Sequence, residues 1–325
     1  MKRILAMLLV LSVVFCFVAC KQNAVPGNTQ TQPGNTDETL PTTGNENAGV
    51  ERKNVYVLSG ITAKKADGSK SYEYTWETLD RRIINTLTAS VAGKETKLNF
   101  NYREGERAGT VTGLPSDVTI DFAWDELGRI VSMTEESPGG TYAVMYTYDD
   151  ENRCTGKSIS RNGSVASDVA YVYEADKLVK EAVTLADGSL SNEKTYTYNE
   201  HGDLSQEVTK YTGSDTVVNK YSYAYNDAGQ MLSKDAFSAD DIKTKYTYTY
   251  DADGRVLTET AFQGDVRTAH TEYGYNERGE LVKEQKFLAG ENTAQTVEYA
   301  YTEVRMSDME YELYQMLQDF SRGWC

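Results

Sequence analysis

Residues 248–256 read Tyr248-Thr249-Tyr250-Asp251-Ala252-Asp253-Gly254-Arg255-Val256, and this stretch decides the fold. Tyr-Thr-Tyr alternates with period two, so the rings share one face of a strand while Thr takes the other. Asp251 opens a turn through its side chain, and Gly254 supplies the positive φ that returns the chain as a hairpin. The same pattern recurs at Phe122-Ala123-Trp124-Asp125 through Gly128, at Tyr196-Thr197-Tyr198-Asn199 through Gly202, at Tyr223-Ala224-Tyr225-Asn226 through Gly229 and at Tyr273-Gly274-Tyr275-Asn276 through Gly279. The second aromatic falls at 124, 148, 173, 198, 225, 250, 275 and 301, at intervals of 24, 25, 25, 27, 25, 25 and 26. Asn152 replaces Gly in one unit, where Asn tolerates the left-handed region. Glu174-Ala175-Asp176-Lys177 lacks one residue, so a tighter turn is expected there.

Weaker copies at Tyr74/Trp76 and Phe100/Tyr102 extend the array to about ten units, and two strands per unit give about twenty strands. Of the 24 Tyr, 18 lie in these strand segments, so phenol rings take over the burial that scarce aliphatics cannot supply. No Pro follows Pro138, as expected where every strand needs its N–H donors. The fold class is therefore all-β, an antiparallel hairpin-repeat array over residues 51–302 that rolls up or spirals. Ser307 and Glu310 form a capping box, and Met309, Leu313, Met316, Leu317 and Phe320 recur at helical spacing. Residues 303–325 are accordingly read as a short helical cap over the terminal edge strand.

The N-terminus carries an address. Lys2 and Arg3 precede an apolar run from Ile4 to Val18 that closes on Phe17-Val18-Ala19-Cys20, the plan of a secretory signal over residues 1–19. The junction resembles the bacterial lipobox, with Phe17 where Leu is usual. The resemblance implies a diacylated Cys20 and an extracytoplasmic protein anchored to the cell membrane or an outer membrane, which two acyl chains suffice to hold. Residues 20–50 are rich in Asn, Thr, Gln, Gly and Pro and read as a flexible tether. Leu40-Pro41-Thr42-Thr43-Gly44 looks like a sortase signal, but no apolar stretch and basic tail follow it, so it is read as chance composition.

The recurring motif resembles the YD repeat of the Rhs and teneurin proteins over residues 72–302. That resemblance implies a hairpin ribbon curling into a shell or spiral. The chain has no Asp-Pro and no enzyme-sized segment after the repeats, and Arg follows the turn only at Arg129, Arg153 and Arg255. A short displayed array fits this better than a sealed toxin container.

Candidate chemistry is sparse. A formal charge of −16 repels phosphates and excludes a sequence-independent nucleic-acid footprint. Two His and four Cys show no zinc spacing. Cys154 stands where other units have Ile, Leu, Met or Val, so it reads as a small buried hydrophobe, and a bridge to Cys325 needs geometry that sequence does not supply. Turn carboxylates recur on one rim, Asp251 and Asp253 among them. They make turns first of all, and are the weak Ca²⁺ candidates or, in a rival reading, the acid and nucleophile of a glycan- or cell-wall-degrading hydrolase. No cofactor and no catalytic residue is assigned. The turn glycines are Gly128, Gly202, Gly229, Gly254 and Gly279. The ligand-stacking candidates are Tyr196, Tyr198, Tyr221, Tyr223, Tyr225, Tyr246, Tyr248, Tyr250, Tyr273 and Tyr275, whose faces suit sugar C–H surfaces if they are open to solvent. The expectation is a non-enzymatic binding or display scaffold whose partners are the membrane and a carbohydrate or surface protein.

Overall fold

The computed structural model describes residues 51–79, 83–103, 105–238 and 243–322. The expected leader, the expected lipidation site Cys20, the expected tether to residue 50 and Cys325 lie outside them. Twenty strands follow one another: β1 (Lys53–Lys64), β2 (Lys70–Leu79), β3 (Ile83–Val91), β4 (Lys94–Tyr102), β5 (Ala108–Thr112), β6 (Thr119–Trp124), β7 (Ile130–Ser137), β8 (Gly140–Tyr148), β9 (Cys154–Arg161) and β10 (Ser164–Glu174). They continue through β11 (Lys177–Leu185), β12 (Leu190–Tyr198), β13 (Leu204–Tyr211), β14 (Val217–Tyr225), β15 (Met231–Phe237), β16 (Lys243–Tyr250), β17 (Val256–Gln263), β18 (Val266–Tyr275), β19 (Leu281–Leu288) and β20 (Gln295–Met306). Helix α1 (Asp308–Arg322) ends the described chain.

Each strand pairs antiparallel with the next, and β20 returns to β1 in a register running from Lys53 opposite Met306 to Lys64 opposite Thr296. The sheet is thus a closed up-and-down barrel. This corrects the expected rolled or spiral sheet: closure gives every strand two neighbours and leaves no edge for a helix to cap. The last strand also runs past the expected boundary at residue 302.

The turns follow from their Asp and Asn. The Asp251 Oδ1 accepts the N–H groups of Asp253 and Arg255, both at 2.9 Å, and Asp125, Asp149, Asn226 and Asn276 hold their turns in the same way. Gly128, Gly202, Gly229, Gly254 and Gly279 have φ of 86°, 87°, 78°, 82° and 83°, and Asn152 has 65°. The shortened turn after Glu174 pairs Glu174 directly with Lys177 and sets Ala175 at φ 53°.

After each turn the return strand carries a bulge. Tyr250 faces Val256 while Thr249 faces Thr258, so Leu257 is the extra residue. The bulge interrupts the ladder, and the carbonyl of its first residue takes a donor from the next unit. Tyr102, Tyr148, Tyr173, Tyr198, Tyr223, Tyr250, Tyr275 and Tyr301 donate their hydroxyls to the carbonyls of Ile84, Ile130, Cys154, Leu178, Leu204, Met231, Val256 and Leu281, at 2.5–3.0 Å. The 27-residue interval shifts this bond by two residues. There Tyr223 takes the carbonyl, and Tyr225 reaches on to Asp203 Oδ2 at 2.5 Å.

Helix α1 begins on the expected capping box: the Ser307 N–H donates to Glu310 Oε2 at 2.8 Å and the Glu310 N–H to Ser307 Oγ at 3.3 Å. Tyr314 Oη and Gln318 Nε2 donate to the Leu58 carbonyl on β1, at 2.9 and 2.5 Å. Met316 lies about 200° round the helix from Tyr314, yet its sulfur receives the Ile130 N–H of β7 at 3.3 Å. The Phe320 ring sits 6.2 Å from that of Tyr146 on β8. A rod about 10 Å across meets the wall on opposite flanks only where the wall curves round it. The helix therefore lies inside the barrel, and the aromatic face is the inner one. Ile84, Leu87, Leu98, Val111, Phe122 and Ile130 are buried here with Leu313, Tyr314 and Leu317 of the helix.

Two substitutions test this. A Cβ at Gly128 would strike the Met309 carbonyl oxygen, whereas at Gly254 it meets only the side-chain amide of Gln230. Both Gly→Ala changes carry left-handed strain of about 1–2 kcal/mol, but in urea unfolding Gly128→Ala should cost clearly more. Equal costs would contradict the docking of the helix. Tyr250→Phe leaves the Met231 carbonyl without its phenol donor and should cost about 1–2 kcal/mol; an unchanged midpoint would deny the hydroxyl its role.

Candidate functional site

The inner wall has a second row of residues beside the tyrosines. Directly across the ladder from the first aromatic of each pair stand Lys157 (opposite Tyr146), Glu181 (Tyr171), Glu207 (Tyr196), Lys234 (Tyr223), Glu259 (Tyr248) and Glu284 (Tyr273). Directly opposed side chains lie on the same face, so this charged row runs along the inside of β9–β19. In the part of the wall that holds the helix the same place is taken by Leu87, opposite Trp76, and Met133, opposite Phe122.

These charges are close to the rings. Lys157 Nζ lies 5.9 Å from the centre of the Tyr171 ring and Lys234 Nζ 4.8 Å from that of Tyr221. Tyr299 donates to Glu284 Oε1 at 2.7 Å. Burial lowers the pKa of Lys157 and Lys234 and raises that of Glu259, against the opposing hydrogen bond from Tyr248. The wall thus offers flat aromatic faces, hydroxyls, carboxylates and amines in one strip.

Of the stacking candidates, Tyr196 is buried, and Tyr198, Tyr221, Tyr223, Tyr225, Tyr246, Tyr248, Tyr250, Tyr273 and Tyr275 are half-buried. The hydroxyls of Tyr198, Tyr223, Tyr250 and Tyr275 are committed to backbone carbonyls, which leaves their ring faces. Tyr225 stacks on His201 with ring centres 4.0 Å apart. His270 is on the outer face, its Nδ1 2.8 Å from Thr260 Oγ1.

The rim carboxylates do not converge on a site. Arg255 Nε donates to Asp251 Oδ2 and its Nη2 to Asp253 Oδ2, both at 2.7 Å, so the two Ca²⁺ candidates already face a guanidinium. Among the described residues, no group of three or more His, Cys, Asp or Glu is placed to hold a metal ion. Desolvation opposes ionisation of Asp125, Asp149 and Asp251, and the Arg and backbone hydrogen bonds outweigh it, holding all three below the usual carboxylate range. The same arginines reach the next unit: Arg129, Arg153 and Arg255 lie 4.5, 5.0 and 5.2 Å from the ring centres of Tyr148, Tyr173 and Tyr275. They are interlocking parts of the wall.

The outer face of β14, β16 and β18 carries polar residues. Lys220 and Ser222 on β14, Lys245, Thr247 and Thr249 on β16, and His270 and Glu272 on β18 alternate with the inward tyrosines.

The inner charged row escaped the sequence reading, which looked for carboxylates on turns. Its signal is positional: in every case it stands three residues after the Leu, Val, Met or Cys that follows the turn, as Glu259 does after Val256 and Lys157 after Cys154.

A family model described only as "Uncharacterised protein" matches residues 179–307. No curated protein matches. Among solved structures, a porin-like protein from Bacteroides uniformis is 12% identical with a TM-score of 0.35, over 75% of this chain and 98% of that one. A porin-like protein from Bacteroides vulgatus is 10% identical with a TM-score of 0.29, over 75% and 98%. The Photorhabdus luminescens Tc holotoxin pore is 13% identical with a TM-score of 0.28, over 74% of this chain and 15% of that one. Likeness at this level carries no functional argument.

The phenols make alkaline pH the informative variable. Burial raises the pKa of Tyr173 and Tyr225 to about 12, and those of Tyr148, Tyr223 and Tyr273 also rise. A folded-state value above the unfolded ~10 means that the stabilisation is complete below pH ~10 and is lost as pH rises through the folded values. Phenolate absorbance should therefore appear together with loss of strand circular dichroism, between pH ~10 and ~12. Titration of most phenols near ~10 in an intact barrel would contradict this packing.

Proposed function

We propose that this chain is a membrane-anchored extracytoplasmic lipoprotein whose YD/Rhs-like barrel is a non-enzymatic binding or display scaffold with carbohydrate as its ligand class. The observation that carries the reading is the inner strip of half-buried tyrosines faced by Glu207, Lys234, Glu259 and Glu284. Aromatic faces stack on sugar C–H surfaces, and carboxylates and amines bond sugar hydroxyls. The lipobox-like junction at Cys20 favours a body held outside the bilayer on a tether.

A hydrolase remains the second reading on one observation. Glu259 and Glu284 flank Tyr273 on the inner wall, and burial raises the pKa of Glu259, the direction expected of a general acid.

The test uses the intact chain in detergent on a glycan array followed by calorimetry. Binding to at least one glycan, weakened tenfold or more by Tyr273→Ala in a folded variant, is expected; no binding to any glycan would end the carbohydrate reading. Turnover of a bound glycan that Glu259→Gln abolishes would favour the hydrolase instead. Fatty-acid labelling of cells should mark the wild type and not Cys20→Ala, and an unlabelled wild type released into the medium would refute the anchor.

A further inference from the structure

Between β8 and β20, two strands of the inner wall carry one more tyrosine than the rest. β14 presents Tyr221 ahead of Tyr223 and Tyr225, and β16 presents Tyr246 ahead of Tyr248 and Tyr250. In the other units that place is Val144, Val169, Lys194, Thr271 or Val297. Between the two strands runs β15, whose Lys234 stands directly across from Tyr223 on one side and Tyr246 on the other. Two residues on, Ala236 stands across from Tyr221 and from Thr244. The extra tyrosines are thus two strand spacings apart, about 9.5 Å, with a short side chain between them. A cavity of about 230 Å³ opens there, lined by Asn219, Tyr221, Ala236, Phe237, Ser238 and Thr244.

Beside this cavity is a cation short of counter-charge. Lys234 Nζ lies 4.8 Å from the centre of the Tyr221 ring, and among the described residues it has neither an ion pair nor a hydrogen bond. Lys64, Lys180 and Lys243 each hold a carboxylate, at 2.7, 2.6 and 3.0 Å. The carboxylates around Lys234 are engaged elsewhere. Asp203 and Glu259, which both pull on it, accept the hydroxyls of Tyr225 and Tyr248, and Glu207 accepts the Asn219 amide at 3.4 Å. Burial also shifts Glu259 toward its neutral form and disfavours the charge on Lys234. A half-buried ammonium with three donors and only a ring face against it is stabilised by any anion that reaches it.

We propose that this part of the wall is a subsite for a hexuronic acid, which lays its ring against Tyr221 and its carboxylate on Lys234 Nζ. The inference rests on the carbohydrate reading above and narrows it from sugars in general to carboxylated ones. The C–H face of the ring stacks on the phenol, the carboxylate takes charge-assisted bonds from the ammonium, and Asn219 and Thr244 offer polar groups to the ring hydroxyls. A neutral hexose fits the same slot but leaves the ammonium unanswered.

The test uses the intact chain in detergent. Its array sets oligomers of glucuronic, galacturonic and mannuronic acid beside their carboxyl-reduced, neutral counterparts, with sialylated glycans as a second carboxylated class. Uronate oligomers should bind and their reduced counterparts should not. In calorimetry Lys234→Met should weaken that binding about ten- to a hundredfold with strand circular dichroism unchanged. Ala236→Leu, which fills the slot and keeps the charge, should abolish it, and decides alone if Lys234→Met does not fold. The inference is overturned, and the carbohydrate reading kept, if the reduced counterparts bind as well as the uronates, if only neutral or only sialylated glycans bind, or if uronate binding is indifferent to either substitution. Binding to no glycan at all ends both.

Discussion

A phenol hydroxyl donated to the carbonyl of the preceding hairpin is the interaction on which the rest of this structure depends. The bulge after each turn interrupts the ladder at one residue, and the buried carbonyl there must find a donor or cost of the order of 1–3 kcal/mol. Tyrosine alone combines a ring large enough to cover the inner wall with a hydroxyl at the reach of the next unit. The bond therefore fixes the period, because it always spans 18 to 20 residues. It also accounts for the exceptions. Trp76 stands as far after Leu58 as Tyr102 does after Ile84, but has no hydroxyl to give, and the Leu58 carbonyl is served by Tyr314 of the helix. Trp124 also stands at this position, and its buried indole Nε1 has no hydrogen-bond partner.

One ring is filled in two ways. Where β1–β8 curve round the helix, the inward residues are Ile, Leu, Val, Phe and Met, and burial of apolar area supplies the stabilisation. Along β9–β19 the aliphatics give way to tyrosines and a row of Lys and Glu, with a small second cluster around Val169, Tyr171, Leu178 and Tyr196. Such charges are tolerable only beside partners or water, and here they have phenol hydroxyls, ring faces and one another. The division is made at a single position per unit, three residues into the return strand. It separates a wall built to hold a helix from a wall able to hold something polar.

How far the sequence discloses this can be judged residue by residue. Tyr248, Tyr250, Asp251 and Gly254 carry local physics, namely period two, a side-chain turn and a positive φ, and such signals survive without tertiary context. The capping box of Ser307 and Glu310 is equally local. Closure was not legible, because a hairpin ladder obeys the same rules whether or not its ends meet, and the meeting is decided by β1 and β20 across nearly the whole chain. Nor was the place of the helix, since one apolar stripe fits an edge as well as an interior. Glu259 and its counterparts sit in strands whose other residues vary, so their alignment emerges only once the register is known.

Closure also has a consequence in time. The ring is completed by the first and last described strands, and the Leu58 carbonyl waits for a residue of the terminal helix. Synthesis proceeds from the N-terminus, so β1 to β8 emerge with their apolar inner face long before the helix that covers it exists. Local hairpins can form as they appear, but the non-local pairing of β1 with β20 carries the loop-closure cost of almost the entire chain. The growing polypeptide is thus an open, sticky ribbon until its final residues are available, and its exposure to misassembly is set by the interval between making the first strand and making the last.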